Sequence, residues 1–144
     1  MTQEDRSLKL FLVMARATQT MMRELEPSIK SHNLSPTEFA VLELLYHKGE
    51  HSIQSIGKKI LMAGSSVSYV VDQLAKKQYL TRAHCEEDRR VVYAAASEAG
   101  RALMADIFPA HKQKIHEFMA VLSEEEKEEM TVLLKRVGRH AEDR

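Results

Sequence analysis

Two neighbouring stretches of this 144-residue chain carry the side chains best suited to bind another molecule. Gly64–Lys77 has apolar residues at helical spacing on one side, which predicts an amphipathic helix. Its other side carries hydrogen-bonding groups and one cation: Ser65, Ser66, Ser68, Tyr69, Gln73 and Lys76. Cys85–Arg90 is a charged hairpin tip between two short β-prone runs, LTRAH and VVYAA. A polar helix fits the major groove of double-stranded DNA, and a basic hairpin can reach the flanking backbone or minor groove.

The residues that precede these two stretches predict the elements that would position them. Ser35-Pro36-Thr37-Glu38 predicts a helix start with a capping box, and Gly49 predicts its end as a left-handed cap. Ser52 predicts the start of a short helix through Ile60, followed by a turn over 61–64. Helix, turn, helix and then two strands joined by a charged tip make a winged helix-turn-helix.

Long amphipathic helices are predicted at both ends of the chain. The first, Asp5–Ile29, has two apolar stripes and should kink or end at Pro27. The second, Ser97–Val121, should bend near Pro109, and a third should run from a capping box at Ser123 to Gly138. Their apolar surface exceeds what one small lobe can cover. A homodimer through the terminal helices would bury it and space two recognition helices about 34 Å apart, as a palindromic site requires.

The expected fold class is therefore mainly α with a small β-wing. The order is helix, helix, a short strand, helix, helix, strand, wing, strand, helix, helix. Residues 1–144 should form a single unit, with a DNA-binding lobe at 33–98 and dimerisation helices at 1–32 and 99–144.

Composition is that of a globular protein, with 44% hydrophobic and 29% charged residues. The net charge is zero, but residues 51–93 hold seven Lys and Arg against four Asp and Glu, a local charge of +3. The positive charge therefore lies where DNA contact is expected. A single cysteine and the absence of a signal-peptide pattern predict a cytoplasmic protein without membrane contact. No nucleophile elbow, phosphate-binding loop or metalloprotease motif is present, so an enzyme is not expected.

The chain resembles the MarR (multiple antibiotic resistance regulator) family over essentially its whole length, and three stretches carry the resemblance. They are LSPTEFAVLELL at 34–45, SSVSYVVDQLAKKQYLTR at 65–82 and DRRVVYAAASEAGRAL at 88–103. The last aligns without gaps on the family's wing signature D-x-R-x-x-x-V-x-L-T-x-x-G. Gln78 departs from the family's usual glycine, and Ala94 and Ala96 from its larger apolar residues. SLKLF and EFAVLELLYHKG are similar to the quinone-responsive, MhqR-like branch.

The resemblance implies roles for individual residues. Asp88 would brace the wing, Arg90 would enter the minor groove, and Arg89 would support it from the backbone side. Charge and position predict phosphate contacts at Lys58, Lys59, Lys76 and Arg82. The implied function is a sequence-specific transcriptional regulator, a ligand-responsive repressor that binds a palindromic operator as a dimer.

The resemblance also implies a site for a small aromatic effector, such as a phenol or quinone. Its expected lining is Phe11, Met14, Phe39, Met62, Phe108, His111 and Ile115. The alternative for each of these residues, and the more common role of such side chains, is ordinary hydrophobic core.

Other inputs and other functions stay open at this point. Cys85 could sense oxidants, since cations near it in sequence would favour the thiolate while Glu86, Glu87 and Asp88 oppose it. A metal-responsive regulator is a further alternative, but His111 and His116 are not on one helical face and His47 and His51 flank a turn. No metal site and no cofactor are predicted. A helical module that binds protein instead of DNA is the remaining alternative.

Overall fold

The computed structural model describes residues 1–60 and 64–144, with only the backbone described at residues 64 and 65. Within these residues the chain has six helices and three strands, in the order predicted. The helices are α1 (Gln3–Ser31), α2 (Pro36–Lys48), α3 (Ile53–Lys59), α4 (Gly64–Lys76), α5 (Glu98–Met119) and α6 (Glu124–Glu142). The strands are β1 (His51–Ser52), β2 (Leu80–His84) and β3 (Val92–Ala96). The mainly α fold with a small β-wing is confirmed.

Local capping signals fix most helix starts. The hydroxyl of Ser35 accepts from the backbone N–H of Glu38 at 3.0 Å, and the Glu38 carboxylate accepts from the N–H of Ser35 at 2.8 Å. Ser123 and Glu126 form the same capping box at the start of α6, and Ser52 caps α3. Each pair satisfies backbone N–H groups that a helix start leaves without partners.

Three helix ends differ from the prediction. α1 does not end at Pro27 but continues to Ser31, and Leu25 and Ile29 on either side of the proline are buried. α6 passes Gly138 and continues to Glu142, because glycine weakens a helix without stopping it. Gly49 does end α2 at a positive φ of 82°, but its ψ of −165° lies outside the left-handed helical region.

The three strands form an antiparallel sheet in the order β1-β3-β2. Ala94 at the centre of β3 faces His51 of β1 on one side and Arg82 of β2 on the other. The wing is defined here as the β2–β3 hairpin with its tip, Cys85–Val91.

The start of α5 lies against the backbone that enters β2. The Ser97 hydroxyl donates to the carbonyl of Gln78 at 2.7 Å and accepts from the N–H of Gly100 at 3.0 Å. A Cβ on Gly100 would lie 2.1 Å from the carbonyl oxygen of Tyr79, so only glycine fits. This close approach explains why the wing signature ends in a hydroxyl residue and a glycine.

The chain divides into two compact units, Met1–His111 and Lys112–Arg144. The largest fully buried side chains of the described residues are in the first unit and come from α2, α3, α4 and α5: Val41, Leu42, Ile56, Val67, Val71, Leu74 and Met104. The predicted division between a DNA-binding lobe and dimerisation helices stays a prediction. Among the described residues no helix is both long and apolar enough to cross a membrane.

Candidate nucleic-acid interface

Helix α4 buries one face and presents the opposite face to solvent. Val67, Val70, Val71 and Leu74 are buried, as their helical spacing predicted. Ser66, Ser68 and Lys76 are exposed, Gln73 is half-buried, and Tyr69 is 65% exposed. The predicted contact at Ser65 lies on α4, but its side chain is outside the described part of the chain. The exposed face thus carries hydroxyls, a phenol, a cation and the carboxylate of Asp72, all able to hydrogen-bond a polar partner.

A partly buried ion pair anchors the end of α4 to α2. The ammonium of Lys77 lies 2.9 Å and 3.0 Å from the two carboxylate oxygens of Glu38, and it donates to the carbonyl of Asn33 at 2.8 Å. The Glu38 side chain is 9% exposed and that of Lys77 is 26% exposed. Glu38 therefore both caps α2 and receives the lysine that follows α4.

Hydrogen bonds within the wing tip fix its shape. The N–H of Cys85 donates to the carbonyl of Val91 at 2.8 Å, and the N–H of Val91 donates to the carbonyl of Asp88 at 2.9 Å. Nδ1 of His84 lies 2.8 Å from the carbonyl oxygen of Arg89. These bonds give the predicted charged tip a defined conformation.

Asp88 and Arg90, both of which the wing signature singled out, form an ion pair. Oδ1 of Asp88 accepts from Nε of Arg90 and Oδ2 accepts from Nη2, both at 3.1 Å. The pKa of Asp88 is lowered by these side-chain bonds and by the backbone N–H of Arg90. Although paired, the Arg90 side chain is 91% exposed. Its guanidinium is therefore held in one orientation while it projects into solvent.

Of the other cations that we predicted to contact DNA, some are exposed and one forms an ion pair with another residue. Lys58 and Lys59 are exposed at the end of α3, and Arg89 is exposed at the wing tip. Arg82 forms an ion pair with Asp72 of α4, and its predicted phosphate contact stays a prediction. No sequence pattern indicated this pair, because the two residues belong to different elements.

The residues predicted to line an effector site do not all come together. Phe39, Phe108 and His111 do, with ring centroids 4.5 Å apart for Phe39 and His111 and 5.8 Å apart for Phe108 and His111. Phe11 and Met14 line a separate depression on α1 with Ala15, Thr18 and Gln19. Met62 lies outside the described residues, and Ile115 belongs to the second compact unit.

Sequence reasoning missed two residues beside this aromatic cluster. The ring of His47 lies 4.4 Å from that of Phe108, and Glu43 is close enough to affect the titration of His111. Both line a groove of about 660 Å³ along α2, with Ala40, Leu44, Lys48 and Ile60. Glu43 and His47 are four positions apart, so helical spacing places them on one face of α2. That this face lies beside Phe108 and His111 of α5 is evident only from the structure.

Burial lowers the pKa of His111 from its ordinary value of 6.5, and the charge of Glu43 partly offsets that effect. Burial beside Phe39 and Phe108 thus favours the neutral form of the imidazole. A neutral imidazole can both donate and accept a hydrogen bond.

The alternative inputs have little geometric support. Cys85 is half-buried at the wing tip, and its proposed redox role stays a prediction. Within residues 1–60 and 64–144, no cluster of three His, Cys, Asp or Glu side chains could hold a metal ion.

An exposed polar helix that follows a short helix in the chain, with a charged hairpin beside it, is the arrangement of a winged helix DNA-binding protein. Residues 34–92 match the MarR family model. The chain is 51% identical over 137 residues to the HTH-type transcriptional regulator MhqR of Bacillus subtilis, a match that covers 95% of this chain and 94% of that protein. The chain belongs to the MarR family of DNA-binding transcriptional regulators, which are not enzymes.

Solved structures show the same fold. AbsC of Streptomyces coelicolor, a MarR family transcriptional regulator, superposes with a TM-score of 0.87 at 18% identity, covering 100% of this chain and 98% of that one. BpsR of Bordetella bronchiseptica, whose DNA binding is regulated by 6-hydroxynicotinic acid, superposes with a TM-score of 0.80 at 24% identity, covering 90% of this chain and 98% of that one.

Proposed function

We propose that this protein is a repressor that binds a palindromic operator as a homodimer and is released by a small aromatic effector. The arrangement of α4 and the wing is the observation that supports the proposed binding of DNA. The hydroxyls of α4 project from a helix whose other face is buried, and Arg90 projects from a tip that Asp88 orients.

The two elements would recognise DNA in different ways. Ser65, Ser66, Ser68, Tyr69 and Gln73 on α4 would contact base edges in the major groove. Arg90 would enter the adjacent minor groove, where negative potential favours an arginine, with Arg89 on the backbone. Lys58, Lys59 and Lys76, all exposed, would contact phosphates and supply affinity that falls with salt.

A dimer is proposed because the terminal helices expose many large apolar side chains. On α1 these are Leu8, Leu10, Phe11, Leu12 and Val13. On α6 they are Met130, Val132, Leu133, Leu134 and Val137. Apolar surface of this extent marks an interaction site. Sedimentation equilibrium should give twice the chain mass, and a monomer at micromolar concentration would contradict the dimer.

Operator binding can be tested by fluorescence anisotropy across a salt series. The duplex would be taken from the DNA upstream of the gene, with a scrambled duplex of equal length as the control. We expect tighter binding to the upstream duplex and a steep fall in affinity with salt for both. Equal affinity for the two duplexes would contradict sequence-specific recognition.

The effector proposal rests on the groove along α2 and the rings beside it. The groove combines the apolar Ala40, Leu44 and Ile60 with the ionisable Glu43 and His47, and the ring of His47 contacts Phe108. An aromatic ligand with a hydroxyl or carbonyl oxygen could pack on this surface and hydrogen-bond its polar groups. The regulation of BpsR by a hydroxylated aromatic acid and the 51% identity to MhqR are consistent with such a ligand.

A panel of phenols and quinones should contain a compound that releases the operator and raises the melting temperature. A ligand acts this way only if it binds the DNA-free state more tightly. His47→Ala should weaken the response, whereas Gln19→Ala in the separate depression on α1 should not. An equal response in both variants would place the ligand elsewhere. Cys85→Ser tests the thiol alternative: an unchanged response to quinone excludes Cys85.

A further inference from the structure

The ion pair between Asp72 and Arg82 joins the two elements of the candidate DNA interface. Asp72 lies on α4, one helical turn after Ser68, and Arg82 lies in the middle of β2. A side-chain nitrogen of Arg82, Nη1, donates to Oδ1 of Asp72. Both side chains are about half exposed, 53% for Asp72 and 44% for Arg82. The pair is therefore a surface contact between the recognition helix and the wing.

Hydrophobic packing holds β2 at its first residue only. Leu80 is buried, whereas the other residues of β2, Thr81–His84, are exposed. Strand β3 differs, because Ala94 and Ala96 are both buried. The outer part of β2 is held by its pairing with β3, and the ion pair adds a direct side-chain contact between this part of β2 and α4.

A cavity separates the helix and the wing where the ion pair bridges them. Its volume is about 370 Å³, and its lining includes Ser68 and Asp72 of α4, Arg82 and His84 of β2, and Val92 of β3. The remaining lining residues are Ile53 of α3 and Ala83 of β2. The charged pair bridges the gap that packing leaves.

We propose that Asp72 and Arg82 are positioning residues that set the spacing between α4 and the wing. This inference rests on the proposed operator binding. A fixed spacing lets the hydroxyls of α4 and the guanidinium of Arg90 reach adjacent grooves of one operator half-site together. The pair would then determine specificity and would contribute little to general affinity for DNA.

The competing role for Arg82 is the phosphate contact that its charge alone would predict. Asp72 argues against that role, because its carboxylate neutralises the guanidinium and competes with phosphate for the same donors. The two roles also predict opposite effects for Asp72. If the Asp72 carboxylate positions Arg82, removing it would weaken operator binding. If the carboxylate only repels phosphate, removing it would strengthen binding to any DNA.

The test is a double-mutant cycle on DNA affinity. Asp72→Asn, Arg82→Gln and the double variant would be titrated against the operator duplex and a scrambled duplex at several salt concentrations. Asp106→Asn, which removes an exposed carboxylate from α5, is the matched control. Half-exposed surface pairs contribute little to folding, so the variants should remain folded. Circular dichroism melting checks this.

We expect each single variant to lose about tenfold in operator affinity, within the range of coupled charged pairs. The double variant should be no weaker than either single one, and binding to the scrambled duplex and its salt slope should not change. Arg82→Lys, which keeps a cation opposite Asp72, should recover part of the loss.

Other outcomes would overturn the inference. An equal loss on both duplexes for Arg82→Gln, with a salt slope smaller by about 1, would make Arg82 a phosphate contact. Losses that add in the double variant would show that the residues act independently. If the wild-type protein itself did not prefer the operator, the proposed function would fail instead.

Discussion

The carboxylate of Asp88 accepts two hydrogen bonds of 3.1 Å from the guanidinium of Arg90, and the Arg90 side chain is nevertheless 91% exposed. Pairing usually withdraws an arginine from other partners. Here the two carboxylate oxygens contact Nε and Nη2, which leaves Nη1 without a bond to Asp88 on a side chain that is almost fully exposed. An arginine held this way loses less conformational entropy when it binds a groove.

Replacing Arg90 should affect DNA binding far more than folding. We expect Arg90→Ala to lose about 100-fold in operator affinity, since a well-placed arginine contributes roughly 1–3 kcal/mol to recognition. Asp88→Asn should lose less, because the arginine remains but is no longer oriented. Anisotropy gives the affinities, and gel filtration should show an unchanged assembly. Unchanged operator affinity in Arg90→Ala would contradict the assignment of the wing.

Lys77 and its neighbour Lys76 should have separable roles. Lys77→Met would leave the buried Glu38 without its cation and should cost roughly 2 kcal/mol of unfolding free energy, less than for a fully buried pair because Lys77 is partly exposed. Lys76 is exposed, so Lys76→Met should leave stability unchanged and weaken binding to all DNA. Urea denaturation measures the first effect and anisotropy the second. Equal stability of the two variants would contradict the anchoring role of Lys77.

Two glycines in helices should respond oppositely to alanine. Gly100→Ala would place a Cβ 2.1 Å from the Tyr79 carbonyl oxygen. We expect it to cost about 3 kcal/mol, at the high end for overpacking, because backbone cannot move aside easily. A Cβ on Gly138 would meet no atom within 4 Å, so Gly138→Ala should stabilise α6 by up to about 1 kcal/mol. Thermal denaturation of both variants tests this, and a neutral Gly100→Ala would contradict the close approach of α5 to β2.

Stability should fall in mildly acidic solution partly because of His111. Burial lowers its pKa in the folded protein below the ordinary value of 6.5. The unfolded chain therefore binds a proton at His111 more readily than the folded protein does. The stability that comes from the neutral histidine is fully present above pH 6.5, and it is lost as the pH falls through the pKa of the folded protein. His111→Gln, which cannot be protonated, should show a smaller loss of melting temperature between about pH 7 and pH 5. His140→Gln, on the exposed end of α6, is the control. An identical pH profile for wild type and His111→Gln would contradict this account.

Local signals allowed most of the fold to be predicted from the sequence. Capping boxes at Ser35 and Ser123 depend on residues three positions apart, and the buried stripe of α4 depends on helical spacing. The same locality explains the errors. Pro27 and Gly138 weaken a helix, but whether the helix continues depends on the whole element.

Contacts between distant residues could not be predicted in this way. Lys77 and Glu38 are 39 positions apart, and no periodicity links them. The phosphate contact at Arg82 was predicted from charge and position, and its partner Asp72 became evident only from the packing of β2 beside α4. The wing pair of Asp88 and Arg90 was predictable because it lies within a short signature.

The most direct measurement is DNase I footprinting of the protein on the DNA upstream of its own gene. We predict one protected palindrome whose half-sites are centred about 10 base pairs apart, or a small multiple of that, as two recognition helices in a dimer require. The footprint should disappear with Arg90→Ala at the same protein concentration. Uniform protection of the fragment, or a footprint that persists unchanged in Arg90→Ala, would contradict the assignment of α4 and the wing as the operator-binding surface.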